Sequence, residues 1–66
     1  PEEMALTEKE QAIMALVAEG LLNKEIASRL YLSESTIKTY LYRIYQKLGV
    51  NNRDAATRKL NRIQSF

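Results

Sequence analysis

The sequence contains no cysteine and no histidine. That absence removes disulfides, thiolate metal sites, Cys/His nucleophile pairs and imidazole acid–base chemistry together. It also suits a cytoplasmic protein. No apolar run approaches the roughly 20 residues that span a bilayer, and no secretory or transit segment stands out, so no membrane partner is expected. Internal repeats and low-complexity runs are missing as well. Glu10 is the one carboxylate to weigh for catalysis, but acid–base work needs a partner group and a pocket, which so short a chain scarcely offers. The expectation is therefore a protein that is not an enzyme and needs no metal or cofactor.

What is present fits one small domain. Sixty-six residues allow a single core, marginal in size but feasible for an all-helical fold. A hydrophobic content of 45% argues against disorder. Charge is unevenly placed. Residues 1–34 hold seven acids against three bases, a balance of −4, whereas residues 35–66 hold seven bases and only Asp54, a balance of +6. A polarised molecule with one basic half is expected of a polyanion binder. Beginning on Pro1 rather than a methionine, the chain reads as the C-terminal fragment of a larger protein, with residues 1–5 a linker end.

Four helices follow from the local signals. Thr7 can cap a helix and Glu10 lies three residues on, a capping box opening a helix over about 8–19. Ile13, Leu16 and Val17 share its apolar face, with Met14 at the edge, and Gly20 supplies the left-handed residue that ends it. Asn23 is a good N-cap for a short helix over about 24–30, whose Ile26, Ala27 and Leu30 face inward. Tyr31 and Leu32 make a turn, Leu32 plugging it from below. Ser33 caps a long helix over about 34–48, stopped by Gly49. Asn52 can cap a last helix over about 53–64, with Ala56, Leu60 and Ile63 on its apolar stripe. The fold class is all-α, a four-helix bundle containing a short helix, a tight turn and a longer helix, which is the helix-turn-helix pattern.

The long helix carries the strongest pattern. Ile37, Leu41, Ile44 and Leu48 recur at steps of four, three and four, one stripe of an α-helix. Ser35, Lys38, Thr39, Tyr42 and Gln46 occupy the opposite face, with Arg43 and Lys47 towards its flanks. Of the three tyrosines here, only Tyr42 faces squarely outward. Tyr45 is oblique, and Tyr40 lies on the flank of the buried stripe. Ser35 and Thr36 suit phosphate because the unpaired N–H groups of a helix start point at an anion. Arg43 and Lys47 suit it by charge, and Lys24, near the start of the second helix, by both arguments. Glu10 and Arg53, each near a helix start, are expected to be structural and able to pair with each other.

Several spaced motifs then agree in order. They are Leu6-Thr7-x-Lys9-Glu10, Gly20-Leu21-x-Asn23-Lys24-Glu25-Ile26-Ala27, Leu30-x-Leu32-Ser33-Glu34-Ser35-Thr36-Ile37-Lys38 and Ile44-x-x-Lys47-Leu48-Gly49-Val50-x-Asn52-Arg53. Together, from Leu6 to about Ala56, they resemble the LuxR/GerE-type (NarL/FixJ-type) helix-turn-helix domain. Lys9, Ala12, Tyr40 and Ala55 depart from that pattern. The resemblance implies sequence-specific binding of double-stranded DNA, with the 34–48 helix in the major groove, and a place as the output domain of a bacterial response regulator in a two-component system. It implies base-edge contacts from Lys38, Thr39 and Tyr42. Lysine can donate to guanine, and threonine offers a hydroxyl and a methyl. It also implies a homodimer on DNA through the last helix, for which Thr57, Leu60, Asn61 and Gln64 are candidates, an N-terminal regulatory domain, and RNA polymerase as a further partner. A rival reading of the same residues is a protein-interaction or dimerisation module, akin to a docked sigma-factor region. Such a module should show an apolar, aromatic outer face on its long helix.

Overall fold

The computed structural model describes residues 6–64, with side chains as far as Asn61. Residues 1–5, expected as a linker end, lie outside the described residues, as do the side chains of Ile63 and Gln64. Four helices occupy the described chain: α1 (Glu8–Ala18), α2 (Asn23–Leu30), α3 (Glu34–Leu48) and α4 (Arg53–Gln64). No strand occurs among the described residues.

The helix ends show why these segments fold locally. Thr7 Oγ1 accepts the Glu10 N–H at 3.2 Å while Glu10 Oε1 accepts the Thr7 N–H at 2.8 Å, so the predicted box forms in full. Ser33 Oγ accepts the Thr36 N–H at 3.0 Å, and Asn52 Oδ1 accepts the Ala55 N–H at 2.8 Å. Gly20 and Gly49 take φ of +90° and +72°, the left-handed geometry that closes α1 and α3. After Gly49, the Val50 N–H donates back to the Tyr45 carbonyl at 2.9 Å and Val50 packs against the core.

Two local expectations are corrected. Helix α2 begins one residue earlier than expected, so Asn23 is its first helical residue and Leu22 is the cap. Leucine has no side-chain acceptor. Instead Glu25 Oε1 reaches back to the Leu22 N–H at 2.8 Å, and the Asn23 oxygen is free for another task. The second correction is the turn. Tyr31 itself adopts the left-handed conformation, φ 57° and ψ 41°, while the following Leu32 N–H donates to the Ala27 carbonyl at 2.9 Å.

The core joins all four helices. Ile13, Met14 and Val17 of α1 meet Ile26 and Ala27 of α2, Ile37, Leu41, Ile44 and Leu48 of α3, and Ala56 and Leu60 of α4. Met14, expected at the edge of its stripe, is fully buried. Helix α1 is contacted by α2, α3 and α4, so a wider arc of its surface is covered than a single stripe provides. Leu32 packs beneath the α2–α3 turn as expected. The result seats α3 on the rest of the bundle by one side and leaves its other side to solvent.

Candidate nucleic-acid interface

The exposed side of α3 carries Ser35, Lys38, Thr39, Tyr42, Arg43 and Gln46, all open to solvent. Tyr42 is 64% exposed, a large ring left out by the core below it. Lys38 and Arg43 have no hydrogen-bond or ion-pair partner among the described residues, and neither does Lys24 at the first turn of α2. Their cations are thus available. Thr39 is partly committed: its hydroxyl donates to the Ser35 carbonyl at 3.2 Å, leaving a lone pair and a methyl facing outward. Thr36 is half-buried, and its hydroxyl shares a proton with Ser33 Oγ at 2.8 Å. Lys38, Tyr42, the edge of the buried Leu41 and the half-buried Tyr45 continue into a shallow groove that also includes Asn23 at the start of α2.

Lys47 stands differently from the other predicted phosphate ligands. Its Nζ lies 2.7 Å from Glu10 Oε1, joining the last turn of α3 to the first turn of α1. The Lys47 side chain is 25% exposed and that of Glu10 only 4%. Burial pushes the Glu10 carboxyl pKa up. The Lys47 hydrogen bond, the Thr7 N–H and the Lys47 charge together outweigh it and hold the pKa below the ordinary glutamate value. This pair replaces the expected Glu10–Arg53 contact. The charged neighbour comes from α3, whose C-terminal end packs over the start of α1.

Arg53 does other work. Its guanidinium donates to the Leu21 carbonyl and, at 2.8 Å, to Asn23 Oδ1. It thereby ties the first turn of α4 to the link and the first turn of α2. Tyr45 lies within its field. Burial raises the Tyr45 phenol pKa, and the Arg53 charge only partly opposes this. The phenol is therefore protonated at neutral pH and can donate a hydrogen bond.

The α4 residues expected to pair stand in different surroundings among the described residues. Leu60 is only 8% exposed, so it belongs to the monomer core. Thr57 is half-buried with its hydroxyl donating to the Arg53 carbonyl at 3.1 Å, and Asn61 is exposed. The Gln64 side chain lies outside the described residues. No helix among the described residues is long and apolar enough to cross a membrane. No cluster of acidic side chains that could hold a metal ion occurs among them either.

Sequence reasoning missed the Arg53–Asn23 link and the left-handed Tyr31. A short polar residue beside a helix start was the available signal for the first, but it reads equally as a cap.

Comparison with known proteins agrees with this geometry. The model of the luxR family of bacterial regulatory proteins matches residues 4–60. The DNA-binding transcriptional activator DevR/DosR of Mycobacterium tuberculosis is 45% identical over 51 residues, 77% of this chain and 24% of that protein. The nitrate/nitrite response regulator protein homolog of Haemophilus influenzae is 42% identical over 53 residues, 80% of this chain and 26% of that protein. The chain thus spans about a quarter of the length of these relatives. With the family model covering most of the chain and four helices in the matching order, this chain belongs to the luxR family of bacterial regulatory proteins.

Proposed function

We propose that the chain is a sequence-specific double-stranded DNA-binding domain that serves transcription regulation, with α3 in the major groove. One observation carries the reading. The solvent face of α3 presents unpartnered Lys38 and Arg43 with Thr39 and Tyr42, on a helix whose opposite face is fixed in the core. Lys38, Thr39 and Tyr42 read base edges. Lysine donates to guanine acceptors, and the Thr39 methyl and lone pair suit a thymine methyl or an amino group. Lys24, Ser35, Thr36 and Arg43 hold phosphates on either side, and Lys47 adds its charge at the groove rim while bonded to Glu10. The outer face is polar and cationic, which disfavours the docking-module alternative.

In its full context the domain is the output unit of a cytoplasmic response regulator. An N-terminal regulatory domain controls it, and RNA polymerase is its downstream partner. Two copies pair on DNA through α4, with Thr57 and Asn61 at the contact and Gln64 beyond them. The names of the two relatives, a DNA-binding transcriptional activator and a response regulator protein homolog, support the regulatory role within this context.

The test is a salt titration of binding to a labelled mixed-sequence duplex pool, followed by sequencing of the bound fraction. A steep salt slope with enriched paired half-sites is expected. On the enriched site, Lys38→Ala should weaken binding by about 1–3 kcal/mol and relax preference at one base position. Absence of binding even at low salt would refute the reading and return the docking module to first place.

A further inference from the structure

The flank of α3 turned towards α1 borders a second groove. Thr7 and Glu10 line it from the start of α1, and Tyr40, Arg43, Gln46 and Lys47 line it from α3. Its charges do not balance. Glu10 and Lys47 offset each other at 2.7 Å, whereas Arg43 has no hydrogen-bond or ion-pair partner among the described residues. Gln46 is exposed beside it, and its side-chain amide makes no hydrogen bond among the described residues either. The groove therefore holds one surplus guanidinium and a neighbouring donor, a pairing that suits a carboxylate.

The chain itself brings carboxylates to this place. It enters α1 through Thr7, on the edge of the groove, and Glu3 and Glu2 stand four and five positions before Thr7 in the sequence. At about 3.3–3.6 Å per residue, four or five residues reach up to roughly 13–18 Å. Arg43 is one helical turn, about 6 Å, from Lys47, and Lys47 already touches the first turn of α1. Arg43 is thus within their range. We propose that the Glu2-Glu3 segment docks in this groove with a carboxylate on Arg43, and that it competes there with DNA phosphate. The competition rests on the DNA-binding reading above, in which Arg43 holds a phosphate. Tyr40 departs from the family pattern, and Glu2 and Glu3 precede residue 4, where the family match begins, so the arrangement belongs to this chain. Because the two ligands share one guanidinium, DNA displaces the segment, and whatever holds the segment away from α3 favours DNA.

The test uses the 66-residue chain in two backgrounds, wild type and Arg43→Gln, with affinity read on duplexes enriched from the mixed-sequence pool. Replacing both acids, Glu2→Gln with Glu3→Gln, should tighten binding about two- to fivefold in the wild-type background, the worth of an exposed ion pair. In Arg43→Gln that gain should vanish. Simple repulsion between the acids and DNA would tighten binding equally in both backgrounds, and that result, or no gain in either, would overturn the competition. A second readout needs no DNA. The Arg43 Nε–H resonance of the free protein should move when the two acids are replaced, with the melting temperature unchanged. An unmoved resonance would overturn the docking itself. A wild-type protein that fails to bind the pool would overturn the DNA-binding reading and the competition with it, while the resonance still decides the docking.

Discussion

The Glu10–Lys47 pair should be asymmetric in its response to mutation, and the asymmetry follows from which partner is buried. Glu10 is nearly inaccessible, while a quarter of Lys47 reaches solvent. Lys47→Met leaves a buried carboxylate with only its cap bond to Thr7. Breaking a buried pair in this way costs about 3–5 kcal/mol, and the partial exposure of Lys47, which lets water reach the carboxylate once the side chain is cut back, brings the loss just below that range, to about 2–3 kcal/mol. A domain of this size has roughly 3–10 kcal/mol in total. At about 4–8 °C per kcal/mol, the melting temperature should fall by roughly 10–20 °C. Glu10→Gln preserves an acceptor for the Thr7 N–H and takes a carboxylate charge away from an ammonium that already meets water. Its loss should be about 1 kcal/mol. Thermal unfolding followed by helical circular dichroism at neutral pH measures both. The pH dependence supplies a second arm. The folded-state pKa of Glu10 is lowered, so its contribution is complete above the unfolded value of about 4.3 and is lost as pH falls through the lower folded value. The gap between wild type and Lys47→Met should therefore close towards acid, and Glu10→Gln should lack this part of the acid transition. A Glu10→Gln loss as large as that of Lys47→Met, or a gap independent of pH, would refute the assignment of the buried charge.

Other outcomes follow from single features. Tyr31 holds a left-handed conformation while 94% exposed, so its ring returns no packing for the strain. Tyr31→Asn should raise stability by about 0.5–1 kcal/mol, seen as a melting temperature a few degrees higher, and a fall would show that the ring holds the turn. Lys24, Lys38 and Arg43 are the unpartnered cations of the proposed face. Two or three neutralised phosphates per domain predict a log–log salt slope of roughly −2 to −3, or about −4 to −6 for a pair. A salt titration yielding a much steeper slope would mean that cations held within the fold leave their partners for DNA.

Legibility in the sequence tracked the range of the interaction. The Thr7–Glu10 box, the Ser33 and Asn52 caps and the Gly49 stop are decided within three or four residues, and all form as read. The α3 stripe was equally plain because one face of one helix records its burial directly. Asn23 was misread because its oxygen is claimed by a residue thirty positions away, which no local propensity reports. Met14 was placed at an edge because a helical projection assumes one packing neighbour, and α1 has three. The partner of Glu10 was misjudged for the same reason. Proximity in the sequence of helix starts says nothing of which helix end crosses them. For the interface, the outward residues of α3 were legible, but their availability was not, since it depends on which cations the fold consumes.

That distinction changes what the basic half of the chain means. Its surplus of +6 is a count of residues 35–66, not of ligands for a polyanion. Lys47 is bound to Glu10, Arg58 lies 2.9 Å from Asp54 at an exposed i,i+4 pair, and Arg53 is spent on Leu21 and Asn23. Of these, the Arg58 pair is weak and yields easily to solvent. The other two are not interchangeable with free charge. Each fixes a helix start against another helix, Lys47 setting α3 on α1 and Arg53 setting α4 on α2. A recognition surface needs its donors held in place as much as it needs them charged. Lys38 and Arg43 supply the field at the surface of α3. Lys47 and Arg53 fix the helices that hold this surface in register, so losing either of them should disturb binding through geometry before charge.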